Sequence, residues 1–381
     1  MNEDTFRKKY KVKGNVNTIL NEMIKGLRQK RPKVPSELTY TIFEAGSFAQ
    51  IWLQTKGCAY SKAGSCSCCD YWEGATIVNI ADEFNKALEE LSENIEILLI
   101  ETSGSVLDES EITMEELKKI LEYSKKRKFS KIIIETHINT LNEKKLDLIK
   151  DIMDDTTVCI EVGIESLDKQ VLQYSLNKMS VVGLKKLKQY INLVHEKGFK
   201  FIANVMVGVP FLTLDNQIKD AVNSIHQLFD FGVDFVMLFP INIKEYTLVY
   251  WLYQNNLFDP VYGQTIVEVL NQVSKELLSR IDVVWYGNRK QENPAYQQEL
   301  LGPYYCDECN DRMMNFFQSF NQLICNKDRV DLLEQCYQLP CQCKSEIRKK
   351  LSKECVEERD FYHMLDTYYE QIKKYSLMNI E

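Results

Sequence analysis

The sequence predicts an α/β fold of parallel strand–helix units: a full or partial (β/α) barrel, of (β/α)6 type, with a cysteine-rich C-terminal domain. Three observations predict it. Apolar strand-like runs alternate with amphipathic helical patterns, short polar loops follow the runs, and the rhythm stops near residue 300, where cysteines return.

The strand-like runs are Phe48–Leu53, Ile95–Ile100, Lys131–Glu135, Val158–Val162, Phe201–Val207 and Phe235–Phe239, with a further strand expected at Asp282–Tyr286. Between them, helical spacing places Ala81, Phe84, Ala87, Leu88 and Leu91 on one face, and Leu117, Ile120 and Leu121 on another. Thr113 and Glu116 have the spacing of a capping box. Leu184, Leu187, Ile191 and Val194 run up to Gly198, and Ile218, Val222, Ile225 and Phe229 run up to Gly232, each glycine marking a helix stop. The expected domains are a basic N-terminal extension (1–45), the barrel core (46–295) and the cysteine-rich domain (296–381).

In a parallel barrel the chemistry sits on loops at the C-terminal strand ends. The first such loop carries Cys58, Cys66, Cys68 and Cys69. Cys58, Cys66 and Cys69 give the spacing C-x7-C-x2-C, and Gly57 and Gly64 let the chain curl around a soft metal centre. Three thiolates on a 4Fe–4S cluster leave one iron open, the arrangement that generates radicals from S-adenosylmethionine. A closed zinc site and unligated thiols are the competing readings; zinc would need the adjacent Cys68 and Cys69 to ligate together. Later loops carry Ser103-Gly104-Ser105, Thr136-His137, Gly163-Ile164-Glu165 and Gly208-Val209-Pro210. His137 reads as a local hydrogen-bonding residue rather than a catalytic one, and Glu135 as a strand-end carboxylate.

With 381 residues, 45% hydrophobic and 27% charged, the chain is expected to be globular. No apolar run is long enough to cross a bilayer and the N-terminus lacks a signal-peptide core, so a cytoplasmic protein without membrane contact is expected. In that compartment the 12 cysteines read as metal ligands before disulfides. The net charge of −8 disfavours a broad nucleic-acid surface. Residues 1–34, however, are basic: a phosphate-contacting arm or a solvated amphipathic helix.

These motifs resemble the radical S-adenosylmethionine superfamily, in its elongator-type tRNA-modifying branch, with the nearest likeness to the archaeosine-forming radical enzyme. The resemblance rests on the cysteine loop running into Cys69-Asp70-Tyr71, on residues 102–112, on Val162–Ser166 leading to Asn177-Lys178, and on 209–213, 240–248 and 305–309. It implies Cys58, Cys66 and Cys69 as ligands of a 4Fe–4S cluster. It further implies Ser103, Gly104 and Ser105 as the loop receiving the methionine amino group, although the acidic residue of many members is absent from that loop. Glu165 and Lys178 fall where the ribose or methionine carboxylate would be met. An electron donor such as flavodoxin or ferredoxin is implied, with tRNA or a substrate-loading enzyme as partner. A water-poor interior lined by Phe211, Met206, Met237 and Phe239 would suit the chemistry, and simple core is the plainer reading of all four.

Beyond residue 300, Cys306, Cys309, Cys341 and Cys343 pair as CxxC and CxC, a pattern for structural zinc or a second iron–sulfur cluster. Cys159, Cys325, Cys336 and Cys355 read as small hydrophobes. Three functions are weighed: radical cleavage of a lysine-bearing tRNA base, radical modification of a peptide or small metabolite, and a zinc-stabilised interaction protein.

Overall fold

The computed structural model describes residues 1–11, 15–32, 37–70, 79–178, 183–287, 289–293, 296–356 and 361–378. Eight strands follow one another in a single sheet: β1 (Tyr40–Ala45), β2 (Phe48–Leu53), β3 (Ile97–Thr102), β4 (Lys131–Thr136), β5 (Thr157–Glu165), β6 (Lys200–Val207), β7 (Phe235–Pro240) and β8 (Ile281–Val283). β1 is antiparallel to β2, and each later pair is parallel. Among the described residues β8 does not return to β1, so the sheet is an open arc, a partial barrel. The six expected strands are all present. The seventh lies slightly earlier than expected, at Ile281–Val283, because Val284 and Trp285 turn away with Trp285 at positive φ.

Helices Ile80–Glu90, Met114–Arg127, Glu143–Ile152, Leu184–Glu196 and Leu214–Asp230 cross between parallel strands. Thr113 caps its helix by accepting from the Glu116 amide at 3.2 Å. The Glu116 carboxylate does not reach back to close the box; it accepts from the Ala81 amide at 2.7 Å and so joins two neighbouring helices. Gly198 and Gly232 have φ of +85° and +99°, left-handed turns that end their helices without Cβ strain.

The pleat decides what each strand shows to each side. Leu98, Ile100, Ile132, Ile134, Val158, Ile160, Phe201 and Ala203 join the main core under the helices. Their alternates Leu99, Ile133, Cys159 and Ile202 form a separate small cluster inside the arc, with Met237 against it. Two residues farther along the same inner face, β3, β4, β5, β6 and β7 place Glu101, Glu135, Glu161, Asn204 and Phe239. The interior is therefore an apolar base beneath a largely polar layer.

Outside the arc, helices Glu3–Tyr10 and Asn15–Arg28 pack with the last helix, Phe361–Met378. Phe6 is fully buried among Tyr10, Tyr174, Tyr362 and Tyr369. Burial of that ring contributes about 2–3 kcal/mol. Phe211, expected as a possible interior residue, instead stacks at 5.5 Å on Tyr368 and Tyr369 of the last helix. It follows β6 at positive φ, which turns its ring outward.

Candidate active site

The C-terminal ends of the parallel strands converge on one cavity of about 230 Å³. One wall is sulfur: Cys58, Cys66, Cys68 and Cys69 all line it. Gly57 and Gly64, at φ of +94° and +84°, allow the loop to curl, and Cys66 itself sits at φ +64°. A Cβ on Gly64 would lie 2.6 Å from the Asn21 carbonyl oxygen. The loop is strapped to the segment after β5: the Ser67 amide donates to the Leu176 carbonyl at 2.9 Å, and the Ser67 hydroxyl to the Ser175 carbonyl at 2.9 Å.

Burial, and after it the charge of Cys69, pushes the Cys58 thiol up to about 11 and the Cys68 thiol up to about 12; Cys66 is raised well above its usual value for the same reasons. Such thiols stay protonated until a cation displaces the proton. Among the described residues, these sulfurs do not form a group within 4.8 Å of one another. A single tetrahedral zinc holds its thiolates about 3.8 Å apart, whereas a four-iron cluster spreads its ligands wider. The donor set, three thiols on one loop lining one wall of the cavity, fits the cluster.

Ser103 and Gly104 line the facing wall; Ser105 does not. Its hydroxyl is engaged by Thr136 at 2.6 Å and Thr140 at 2.9 Å and accepts from the His137 amide at 3.1 Å, fixing the turn after β4. The acidic group that the 102–105 loop lacks in its own sequence arrives from Glu111. One Glu111 oxygen accepts from the Ser105 amide at 3.1 Å and the other from the Thr55 hydroxyl at 2.5 Å. A Cβ on Gly104 would stand 2.1 Å from that carboxylate, so any larger residue would displace Glu111. His137 lines the cavity with Nε2 3.4 Å from Cys58 Sγ. Burial first, then the charge of Lys178, lowers it to about 4, so its imidazole is neutral.

Glu165 and Lys178 form an ion pair at the cavity edge, and Lys178 also donates to the Gly163 carbonyl at 2.7 Å. Burial works most strongly against the Lys178 charge, but Glu165, Cys66 and Tyr60 together outweigh it and the ammonium is held above its usual value. A Cβ on Gly163 would lie 2.7 Å from Glu165 Oε1 and would push on the ion pair.

The floor is the polar layer inside the arc. Glu135 stands directly opposite Glu161, and the register of β3 on β4 brings Glu101 beside Glu135. Neighbouring buried carboxylates cannot all ionise. Burial, then Glu101, raises Glu135 well above its usual range; burial, then Glu135, pushes Glu161 up to about 8. Asn204 Oδ1 is buried without a hydrogen-bond partner. Met206, Phe239 and Trp285 supply apolar surface beside these groups, whereas Met237 lies one layer lower. Glu101, Glu161 and Asn204 were not singled out from sequence. Their signal was available: each follows an inward apolar residue by two positions.

In the C-terminal region Cys306, Cys309 and Cys343 have sulfurs within 4.8 Å of one another. Cys306 and Cys309 are 3.5 Å apart, Cys309 and Cys343 3.8 Å, and the Cys306 amide donates to Cys343 Sγ at 3.0 Å. Cys341 stands outside this group; its sulfur accepts from the Lys344 amide at 3.4 Å and from Gln264 at 3.7 Å. Cys159 and Cys336 are buried, as expected of small hydrophobes. Cys325 is exposed instead, at the start of helix Asn326–Gln338. Tyr71 and the side chain of Cys355 lie outside the described residues.

No family model matches the chain. It is 23% identical over 321 residues to archaeosine synthase subunit beta of Methanosarcina acetivorans, covering 82% of this chain and 85% of that one. The chain is similar to the archaeosine synthase beta subunits. This bears out the resemblance to the archaeosine-forming enzyme. An uncharacterised protein of Methanocaldococcus jannaschii is 28% identical over 250 residues, 62% of this chain and 67% of that one. Among solved structures, Elp3 of Methanocaldococcus infernus superposes with a TM-score of 0.45 at 14% identity, covering 63% of this chain and 58% of that chain. No described helix is long and apolar enough to cross a membrane.

Proposed function

We propose that this chain is a radical S-adenosylmethionine enzyme acting on a lysine-bearing modified base in tRNA. The observation that carries the class is the shared cavity. Cys58, Cys66 and Cys69 line one wall, Ser103 and Gly104 another, and the Glu165–Lys178 pair the edge, all on loops at C-terminal strand ends. A 4Fe–4S cluster on the three thiols would supply the electron that splits S-adenosylmethionine into methionine and a 5′-deoxyadenosyl radical.

The chain's own residues bind, orient and shield. Glu111 holds the 103–105 backbone in place from behind, leaving Ser103 and Gly104 to meet the methionine amino group. Lys178, anchored by Glu165 and the Gly163 carbonyl, is placed for an anionic carboxylate. Met206 and Phe239 limit water near the reacting centre. The carboxylate floor favours a substrate carrying a cationic nitrogen, as a lysine-derived side chain does. An electron donor such as flavodoxin or ferredoxin, and an enzyme that loads lysine onto the base, complete the expected partners. The C-terminal thiols are a second metal site.

The test is anaerobic purification of the wild type and a Cys58/Cys66/Cys69→Ala variant, with iron, zinc and 5′-deoxyadenosine measured together. Loss of about four irons and of 5′-deoxyadenosine in the variant supports the class; conversion of tRNA carrying lysine-linked deazaguanine supports the substrate. Unchanged iron, or stoichiometric zinc on these thiols without cleavage, overturns the reading.

A further inference from the structure

Arg28 ends helix Asn15–Arg28, in the segment whose basic residues suggest a phosphate-contacting arm, yet it is fully buried. Its guanidinium faces the cysteine loop. Nη1 donates to the Ser61 carbonyl at 2.6 Å, and Nη2 lies 2.8 Å from the carbonyls of Ser65, Cys66 and Cys69. Two of these carbonyls belong to proposed cluster ligands. The same helix grips the loop again farther back: Asn177 donates to Asn21 Oδ1 at 2.7 Å and to the Gly64 carbonyl at 2.9 Å, while Asn17 donates to Asn177 Oδ1 at 2.7 Å.

Arg28 differs in its setting from Lys145 and Arg329, buried cations that each have a carboxylate partner, and from Lys344, whose ammonium lies over the Tyr337 ring at 4.5 Å. Among the described residues Arg28 meets only carbonyl oxygens, and its Nε is buried without an acceptor. Burying a guanidinium is costly without a compensating negative charge. An iron–sulfur cluster carrying three thiolates is such an anion, and the loop that would hold it is the loop Arg28 binds.

We propose that Arg28 is a positioning residue for the cluster: it fixes the backbone of the Cys58–Cys69 loop and, through its charge, makes the bound cluster easier to reduce. This rests on the assignment of Cys58, Cys66 and Cys69 as ligands. It makes the N-terminal helix part of the redox site rather than an appendage. A fixed cation beside the cluster stabilises the state with one more electron, and the carbonyl fork holds two ligand-bearing residues in register for metal uptake.

The experiment compares anaerobically reconstituted wild type, Arg28→Met and Arg28→Lys by iron content, rate of iron loss to a chelator, and redox titration followed by electron paramagnetic resonance. In Arg28→Met the ratio of reduced to oxidised cluster at a fixed poise is expected to fall about tenfold, the scale of removing one nearby charge from a partly screened interior. Arg28→Lys keeps the charge but not the fork. It is expected to titrate near wild type while losing iron faster. An Arg28→Met cluster with wild-type titration overturns the electrostatic role. If Arg28→Met does not fold, Arg28→Lys decides: iron loss at the wild-type rate overturns the positioning role. A wild type that takes up no iron instead sinks the cluster assignment, a separate failure.

Discussion

Removing one thiol of the C-terminal trio tests whether this region is held by a metal. The sulfur separations of 3.5 and 3.8 Å match the roughly 3.8 Å that a tetrahedral zinc imposes on its thiolates. A metal joining Cys309 to Cys343 closes a loop between residues 34 apart. By chain entropy alone, that closure contributes about 4 kcal/mol. If the 381-residue chain melts in one transition, losing it lowers the midpoint by about 5 °C. Cys343→Ser should therefore lose one metal equivalent and melt several degrees lower. Cys341→Ser, outside the trio, should keep the metal, and Cys336→Ser controls for the cost of a buried hydroxyl. The assay is metal analysis with thermal unfolding, before and after chelation. A wild type with no metal beyond that of the barrel site, or a Cys343→Ser variant that melts as wild type does, refutes the reasoning.

Above pH 8, where Glu161 is ionised, Glu161→Gln should leave iron content and substrate-free 5′-deoxyadenosine formation intact while raising KM for the lysine-bearing base at least about tenfold, the scale of losing one buried charge contact; an unchanged KM there argues against the acidic floor as a cation subsite. Asp220, buried in helix Leu214–Asp230, accepts from the Ser166 hydroxyl at 2.7 Å; burial raises it to about 7, outweighing that hydrogen bond, with Asp168 adding to the rise. Because its folded value lies above the unfolded one, its contribution to stability is full below the ordinary carboxylate range and is lost as pH rises through about 7. Asp220→Asn should accordingly be more stable than wild type at pH 8, by on the order of 2–4 kcal/mol, with the gap closing toward pH 4 in denaturant titrations. Gly208 has φ +88° and a Cβ there would stand 1.9 Å from Val261 Cγ2, so Gly208→Ala should cost about 2–4 kcal/mol in the same assay. A loss under ~0.5 kcal/mol would show that the turn after β6 relaxes freely.

Much of the site was legible because its chemistry is local in sequence. Cys58, Cys66, Cys68 and Cys69 sit on one loop, and the loop order follows from strand order, so the residues at the barrel mouth could be grouped before any coordinates. Ser105 and Glu111 mark the limit of that approach. The loop at 102–105 lacked an acidic residue in sequence; Glu111, six residues beyond Ser105, supplies a carboxylate to its backbone, and Ser105 is turned to the β4 side. Cys325 fails for a related reason, and so does the interior lining by Phe211, which is core against the last helix instead: burial and facing depend on what packs against a turn, which hydrophobicity does not encode.

The sequence by itself determined the alternation of strands and helices, the parallel order, the cysteine loop and the second group of thiols. These are set by periodicity, turn residues and ligand spacing, all of which act over a few residues. Only the tertiary structure decided that Glu101, Glu135 and Glu161 share one level inside the arc, that Cys341 lies outside the thiol trio, and that Arg28 is a buried clamp on the cysteine loop. The register of separate strands fixes the first, and the packing of a distant helix fixes the last. Both are contacts between residues far apart in the chain, whose energy appears only once the chain has closed around them.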